Sequence, residues 1–547
     1  MTTRKNSGIP FKIKKGVSIG EPDAESDQLF LAECFTDTGD YEVLKDSQSP
    51  QRIIVGRTGS GKSALIFRLK NTEDHVIEIS PENLSLNFIS NSDIINLLER
   101  SGVKLDIFYT LLWKHVFAVE LLRAKFNLST EEKTKSWLNQ IFQSLKKRDQ
   151  TKERALAYIR DWGDKFWQET EYRIKEVTQK LESDIRSQLG ADLEGLRAGV
   201  SGGQKISDET KTEVVHRAQR VINSIQMKAL SDVLALLAEE IFDDPQQTYY
   251  IVIDKLDENW VDSDLRYRLI RALIETIKSF RVIPAVKIII ALRLDLIQTV
   301  FEKTRDPGFQ EEKYHALMLN VKWDKNSLEK LLDKRITRLV REQYTNQSIG
   351  LRALFPKKIN NGDLIDYFFS MTFYRPRDAI AFVNECLKKS EGRDGITVQC
   401  VRESEIEYSA ARMDALYFEW IVRYPRLREY IGFLERMPVK FKLSSFTKEK
   451  IDDFALKVCF DGENDSDPII RAGYAYLNGG SSPHLFTIEL VKAFFTVGII
   501  GIKPDGFTAE MWQTDGARCP SDGQIKPASS ISIHPIAWSR LGVRFDH

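Results

Sequence analysis

Two hydrophobic rhythms divide the chain. Short apolar runs, Ile53-Ile54-Val55, Val76 to Ile79, Tyr249 to Ile253, Val286 to Leu292 and Ala316 to Val321, are bounded by turn or polar residues. Runs of this kind predict strands buried on both faces, as in a parallel sheet. A longer-period pattern lies between them. Ile174, Val177, Leu181, Ile185 and Leu189 recur every three or four positions with charged residues between, which predicts an amphipathic helix packed on its own domain. It belongs to a helical stretch from about residue 91 to residue 240 that also carries Trp113, Trp137, Trp162 and Trp167. Strands alternating with helices predict an α/β fold with a five-stranded parallel sheet and a large helical insertion.

Downstream the rhythm is helical over Trp323 to Glu342 and Asp363 to Lys389. After Gly395 it changes to short helices and a β-hairpin. Phe486 to Gly498 predicts a helix, and Ile499 to Ile502 with Ile531 to Ile533 predict two strands across a loop rich in Gly, Pro, Asp and Ser. A helix followed by two strands is a winged-helix arrangement. The expected organisation is a polar, basic arm (1–28), an α/β core (29–322), a helical lid (323–395) and a winged-helix-like domain (396–547).

A chain of 547 residues is expected to divide into roughly two to four domains. Lys+Arg and Asp+Glu balance at 79 each, so the overall charge points to no nucleic-acid partner, although a local basic face is compatible with it. No apolar run reaches the ~18–20 residues of a membrane span. The most apolar helix, Ile107 to Leu122, is interrupted by Lys114, His115 and Glu120. The basic N-terminus lacks the apolar stretch of a secretory signal. Five scattered cysteines with no CxxC pair exclude a disulfide framework and fit a reducing cytoplasm.

The chemistry is concentrated after the first strand. Gly56-Arg57-Thr58-Gly59-Ser60-Gly61-Lys62-Ser63 is a complete P-loop, followed by the helix-forming run from Ala64 to Leu69. Its glycines let backbone N–H groups turn toward phosphate oxygens where a Cβ would collide. Lys62 is expected to reach the β- and γ-phosphates, Ser63 to hold Mg²⁺, and the helix N-terminus to favour the anion.

Tyr249 to Ile253 ends in Asp254-Lys255-Leu256-Asp257-Glu258, the form of a Walker B strand. Asp254 is expected in the Mg²⁺ shell, and Asp257 or Glu258 is expected to orient and polarise water. Arg293 ends the next strand, where it either senses the γ-phosphate or pairs with Asp295. Arg375 and Arg377 flank Pro376 at a predicted helix start, a place that opposes the helix dipole and calls for an anion nearby. Nucleotide phosphate is one such anion; Asp378 or Asp363 is the alternative. Val200-Ser201-Gly202-Gly203-Gln204 looks like an ABC-transporter signature, but it stands far before Asp254, Lys255 follows that aspartate, and Lys205 to Lys211 is polar. It reads as a glycine-rich turn.

The run Ile253 to Glu258, with acids three and four positions after the first, resembles the STAND and KAP P-loop NTPases. Ile54 to Leu65, Tyr250 to Trp260, Arg375-Pro376-Arg377-Asp378 and Ile533-His534-Pro535 are similar to those of bacterial standalone ATPases in that group. The resemblance implies ATP as substrate, an AAA+-like core with a lid and a winged helix, homo-oligomerisation, and a switch role in antiphage defence. Repeat arrays, fused effectors and membrane segments of related proteins are missing from this sequence, so a separate effector or sensor protein is implied. A DNA-associated ATPase, with Lys492, Lys503 and Arg540 as phosphate contacts, and a non-hydrolysing ATP-bound scaffold are the competing readings.

Overall fold

The computed structural model describes the chain apart from residues 1–11, 85–88, 90, 145–153, 156, 161–169, 202–206, 225–226, 259, 306–309, 344–348, 360–361, 461–466 and 546–547. It forms two compact units. One comprises Gly39–Arg57 and Lys62–Val321, the other Met1–Thr38, Thr58–Gly61 and Lys322–His547.

The first unit runs α1 (Asp40–Lys45), β1 (Ile53–Gly56), α2 (Lys62–Thr72), β2 (Val76–Glu78), α3 (Asp106–Phe126), α4 (Thr170–Ser201), α5 (Asp208–Ser224), β3 (Tyr249–Ile253), α6 (Ser263–Ser279), β4 (Val286–Arg293) and β5 (Met318–Asn320), with further helices between. The five strands form one parallel sheet in the order β2-β3-β4-β1-β5. This is the α/β fold expected from the apolar runs. β1 and β3 are buried throughout, as is β4 up to Leu292, whereas the edge strands β2 and β5 have three residues each and are partly exposed. Short edges limit the open hydrogen-bonding rows of a sheet.

Between β2 and β3 the described elements are helices. α3 buries residues all round its axis, among them Phe108, Leu112, Trp113, Val116 and Leu121, as a helix inside a core does. Trp113 Nε1 donates to Leu269 O of α6 at 2.9 Å. Val177, Leu181, Ile185 and Leu189 of α4 are buried in the same core; each such side chain contributes roughly 1.5–3 kcal/mol relative to exposure. The side chain of Ile174, Trp162, Trp167 and residues 202–206 of the glycine-rich turn lie outside the described residues. No described helix is long and apolar enough to cross a membrane.

Lys287 interrupts the apolar run of β4 and is fully buried. Its ammonium donates to Val43 O and Asp46 O at 2.8 and 2.7 Å, closing the C-terminal end of α1. Burial, helped by Arg52, pushes its pKa down to about 7. Between that value and the ordinary 10.5, the unfolded chain holds a proton that the folded chain has released. Stability therefore gains with rising pH across this window, by up to about 1.4 kcal/mol per pH unit. Urea titrations of wild type and Lys287→Met from pH 6.5 to 9.5 should show the wild type gaining relative to the variant; parallel curves would refute the shift.

The second unit contains α7 (Lys325–Gln343), α8 (Pro376–Lys389), α9 (Val398–Glu419), β6 (Lys440–Lys442), α10 (Lys448–Phe460), α11 (Pro468–Leu477), α12 (Pro483–Val497), β7 (Ile500–Lys503) and β8 (Ser530–Ile533). Within the expected N-terminal arm, Ile13 and Ile19 are buried in a core shared with Leu328, Leu332 and Ile336 of α7. Asp27 pairs with Arg335, both side chains buried. A 22-residue helix, α9, stands where short helices were expected after Gly395. Its buried side includes Ser404, Arg412 and Glu419, so polar residues mask the helical stripe in the sequence.

The predicted helix and two strands are present as α12, β7 and β8. The strands are antiparallel, and β6, unforeseen, completes the order β6-β8-β7. α12 is capped by Ser482 and stopped by Gly498 at φ 87°. Nine of its residues, from Phe486 to Val497, are buried, so it is a core helix of this unit.

Candidate functional site

The glycine-rich loop leaves the carboxyl end of β1, where Gly56 is paired in register with Arg293 at the end of β4. The chain continues from β1 to one edge strand, β2, and from β4 to the other, β5, so the two onward connections run in opposite directions. Such a switch in direction opens the crevice in which parallel sheets bind ligands. Gly59 and Gly61 have φ of 78° and 100°, a region that L side chains disfavour. Lys62 opens α2 and its Nζ donates to Gly56 O and Arg57 O, both at 3.1 Å. Ser63 and Ala64 follow in the first turn of α2.

Asp254 follows β3, one strand beyond β4. Its Oδ1 accepts from the Lys255 amide at 2.8 Å, and Lys255 is left-handed at φ 60°. That turn is costly for a non-glycine residue, and its surroundings hold it. The Glu258 amide donates to Lys255 O at 3.1 Å. Arg266 of α6, 5% exposed, donates from Nη1 to Glu258 O at 2.9 Å and to Asp257 O at 3.4 Å. Trp260 Nε1 donates to Leu256 O at 3.1 Å. The acidic turn is therefore braced through its carbonyls, which leaves the carboxylates for other partners.

Arg293 forms a two-pronged pair with Asp295, Nε–Oδ1 3.0 Å and Nη2–Oδ2 2.8 Å, and its Nη1 lies 3.5 Å from Asp257 Oδ2. Both the local pair and a link to the acidic turn are thus present. The Glu258 carboxyl is raised above the usual carboxylate range by burial and by a hydrogen bond with Glu82, against the opposing pull of Lys255. Glu82 lies in the 3₁₀ turn Pro81–Leu84 just after β2 and was not foreseen.

The remaining loop residues, Thr58 to Gly61, pack in the second unit. Thr58 O accepts from Arg375 Nη1 at 2.8 Å, Gly59 O from the Arg377 amide at 3.4 Å, and Ser60 O from Trp323 Nε1 at 2.8 Å. A Cβ on Gly59 would lie 2.5 Å from Arg377 Cβ, so glycine is required by space as well as by φ. Arg377 Nε donates to Pro22 O at 3.3 Å. Arg375 is 3% exposed and pairs with Asp378 at 3.0 Å and Glu419 at 3.3 Å. Arg412 closes the group, 3.3 Å from Asp378 and 3.7 Å from Glu419. Burial alone would raise the Asp378 carboxyl, but the two guanidiniums hold it below its ordinary range. Arg375 at the start of α8 is thus paired with Asp378 and Glu419, whereas Asp363 caps a separate helix, Leu364–Ser370.

The sequence carried a faint sign of Arg412. It stands in four-residue steps with Cys400, Ser404, Tyr408 and Leu416, all buried on α9. Trp323 and Arg266 had no comparable sign, because each acts on backbone carbonyls.

Residues 326–417, from α7 to near the end of α9, match the family described as the FunZ-associated C-terminal helical domain. The match includes Arg375, Arg377, Asp378 and Arg412. Over 540 residues, 97% of this chain and 67% of the other protein, the sequence is 19% identical to the "Putative transposon gamma-delta 80.3 kDa protein" of Escherichia coli (strain K12). The similarity is distant and runs through both compact units.

Proposed function

We propose that this chain is a Mg²⁺-dependent ATPase with an AAA+-like core, acting as a nucleotide-gated switch. The observation that carries this reading is the glycine-rich loop, with Lys62 and Ser63 at the start of α2, at the carboxyl end of a parallel strand. Asp254 directly follows another strand of that sheet. The hydroxyl of Ser63 and the carboxylate of Asp254 suit a hard cation that keeps several waters and substrate oxygens. No described cluster of three or more His, Cys, Asp or Glu offers an all-protein metal cage. The residues present thus fit Mg²⁺ held partly through substrate phosphate, where it would neutralise developing charge.

In this reading the loop N–H groups from Gly56 to Ala64 and the Lys62 ammonium bind the phosphates. Asp257 and Glu258 position and deprotonate the attacking water, and Arg293 holds Asp257 in orientation. Glu258, whose carboxyl is raised by burial and by Glu82, is assigned as the proton acceptor. Glu258→Gln is expected to lower turnover about 100-fold or more with nucleotide affinity little changed, the loss associated with one general base. Asp257→Asn should give a smaller loss. Unchanged turnover in both variants would remove these roles.

The winged-helix-like region, an oligomeric state gated by nucleotide, a separate effector and a place in bacterial antiphage defence complete the proposal. Sizing the protein with and without a slowly hydrolysed ATP analogue tests the gating; an unchanged mass would count against it. Similarity to a putative transposon protein of Escherichia coli favours one alternative, a DNA-associated ATPase. Two observations weigh against placing DNA on α12. The helix is buried, and Lys492 is engaged by Glu489 and Asp522. Steeply salt-dependent binding to duplex DNA would restore that alternative.

A further inference from the structure

The contacts at Thr58, Gly59 and Ser60 share one feature: each donor takes a carbonyl, and the three carbonyls are consecutive. Donors and acceptors belong to a single compact unit. A trans peptide is planar, so its C=O and N–H point in opposite directions. Holding the Thr58, Gly59 and Ser60 carbonyls therefore sets the direction of the N–H groups of Gly59, Ser60 and Gly61. These are among the groups assigned to phosphate above, and the inference rests on that reading.

We propose that Trp323 and Arg375 are positioning residues that hold the glycine-rich loop by its carbonyl face. Its N–H groups then converge before the phosphate arrives. Each residue suits the task. Trp323 has one donor on a rigid ring, and the ring passes 3.7–3.8 Å from where a Gly61 Cβ would stand. Arg375 is fixed by Asp378 and Glu419, themselves shared with Arg412, so its Nη1 meets Thr58 O from a buried, four-charge frame. In this role Arg375 spends its charge on carboxylates and a carbonyl rather than on the ligand. A cradle set in advance binds without first reorganising.

The test uses the full-length protein, Trp323→Phe, which keeps an aromatic ring and deletes the donor, and Arg375→Lys, which keeps the charge. Calorimetry with Mg-ADP reads affinity; hydrogen exchange of peptides covering residues 53–66, without nucleotide, reads the loop itself. Loss of one such hydrogen bond corresponds to roughly a tenfold weakening of Mg-ADP binding. KM for ATP should rise with it while kcat stays within about twofold, the mark of binding lost equally from ground and transition states. Exchange should quicken at the loop and nowhere else in Trp323→Phe. Wild-type affinity together with wild-type loop exchange in this variant overturns the proposal, even if Arg375→Lys fails to fold. If the wild type binds no Mg-ADP, the exchange result alone decides, and a quickened loop would sustain the carbonyl hold while the ATPase reading falls.

Discussion

Lys62→Ala is expected to weaken Mg-ATP binding by at least about 100-fold, a loss of roughly 3 kcal/mol, as for a charge-assisted contact to phosphate. The thermal midpoint should stay near that of the wild type. Lys62 is half-buried at the start of α2 and donates to the carbonyls of Gly56 and Arg57; its removal takes away those two hydrogen bonds and no core packing. Affinity lost with the fold intact separates a ligand contact from a structural one. Equilibrium binding of a fluorescent ATP analogue, paired with a melting curve, makes the comparison. Retained affinity and turnover would end the ATPase assignment.

Asp378→Asn is expected to act in the opposite way, on the fold first. Asp378 is fully buried, accepts from the Phe373 amide at 3.2 Å, and faces both Arg375 and Arg412. Removing the charge leaves two buried guanidiniums sharing Glu419 alone, and breaking a buried network of this kind costs about 3–5 kcal/mol. The same group sets an acid limit. Its folded-state pKa is depressed, so its contribution is complete above the ordinary carboxylate value of 3.8 and is lost as pH falls through the folded value. Urea midpoints of wild type and variant should thus differ most near neutrality and converge in acid. A difference independent of pH would mean that packing, not charge, holds this site.

Much of the first unit was legible because its cues are local. An apolar run such as Ile53-Ile54-Val55 followed by a glycine-rich loop states strand, turn and helix within a dozen residues. The carboxylates after β3 and the arginine that ends β4 are legible for the same reason, since a strand end fixes its side chains near the sheet edge. The pairing of Arg293 with Asp295, two residues away, is legible as the alternative to γ-phosphate sensing and is present; the added contact with Asp257 of the acidic turn is not legible. What stayed hidden is long-range and carried by main chain. Trp323 reaches Ser60 across 263 positions, and Arg266 braces carbonyls whose side chains tell nothing about it. Glu419 joins Arg375 from the far end of a helix in which polar residues occupy the inner face. A hydrophobic pattern cannot register a contact whose partner is an amide oxygen or a buried charge.

The hydrogen bond from Arg375 to Thr58 also has a meaning in time. The two residues are 317 positions apart. At about 5–20 residues per second, the ribosome releases the glycine-rich loop roughly 15 to 60 seconds before the arginine that grips it. Until residue 323 is made the loop has neither grip, and Arg375 follows only later. Fragments ending before residue 323 would therefore carry every residue of the nucleotide signature and still present a loosely held loop. On the proposed reading, a stalled or truncated product would be a weak competitor for nucleotide, and the order of synthesis would delay ligand binding until the C-terminal helices are made.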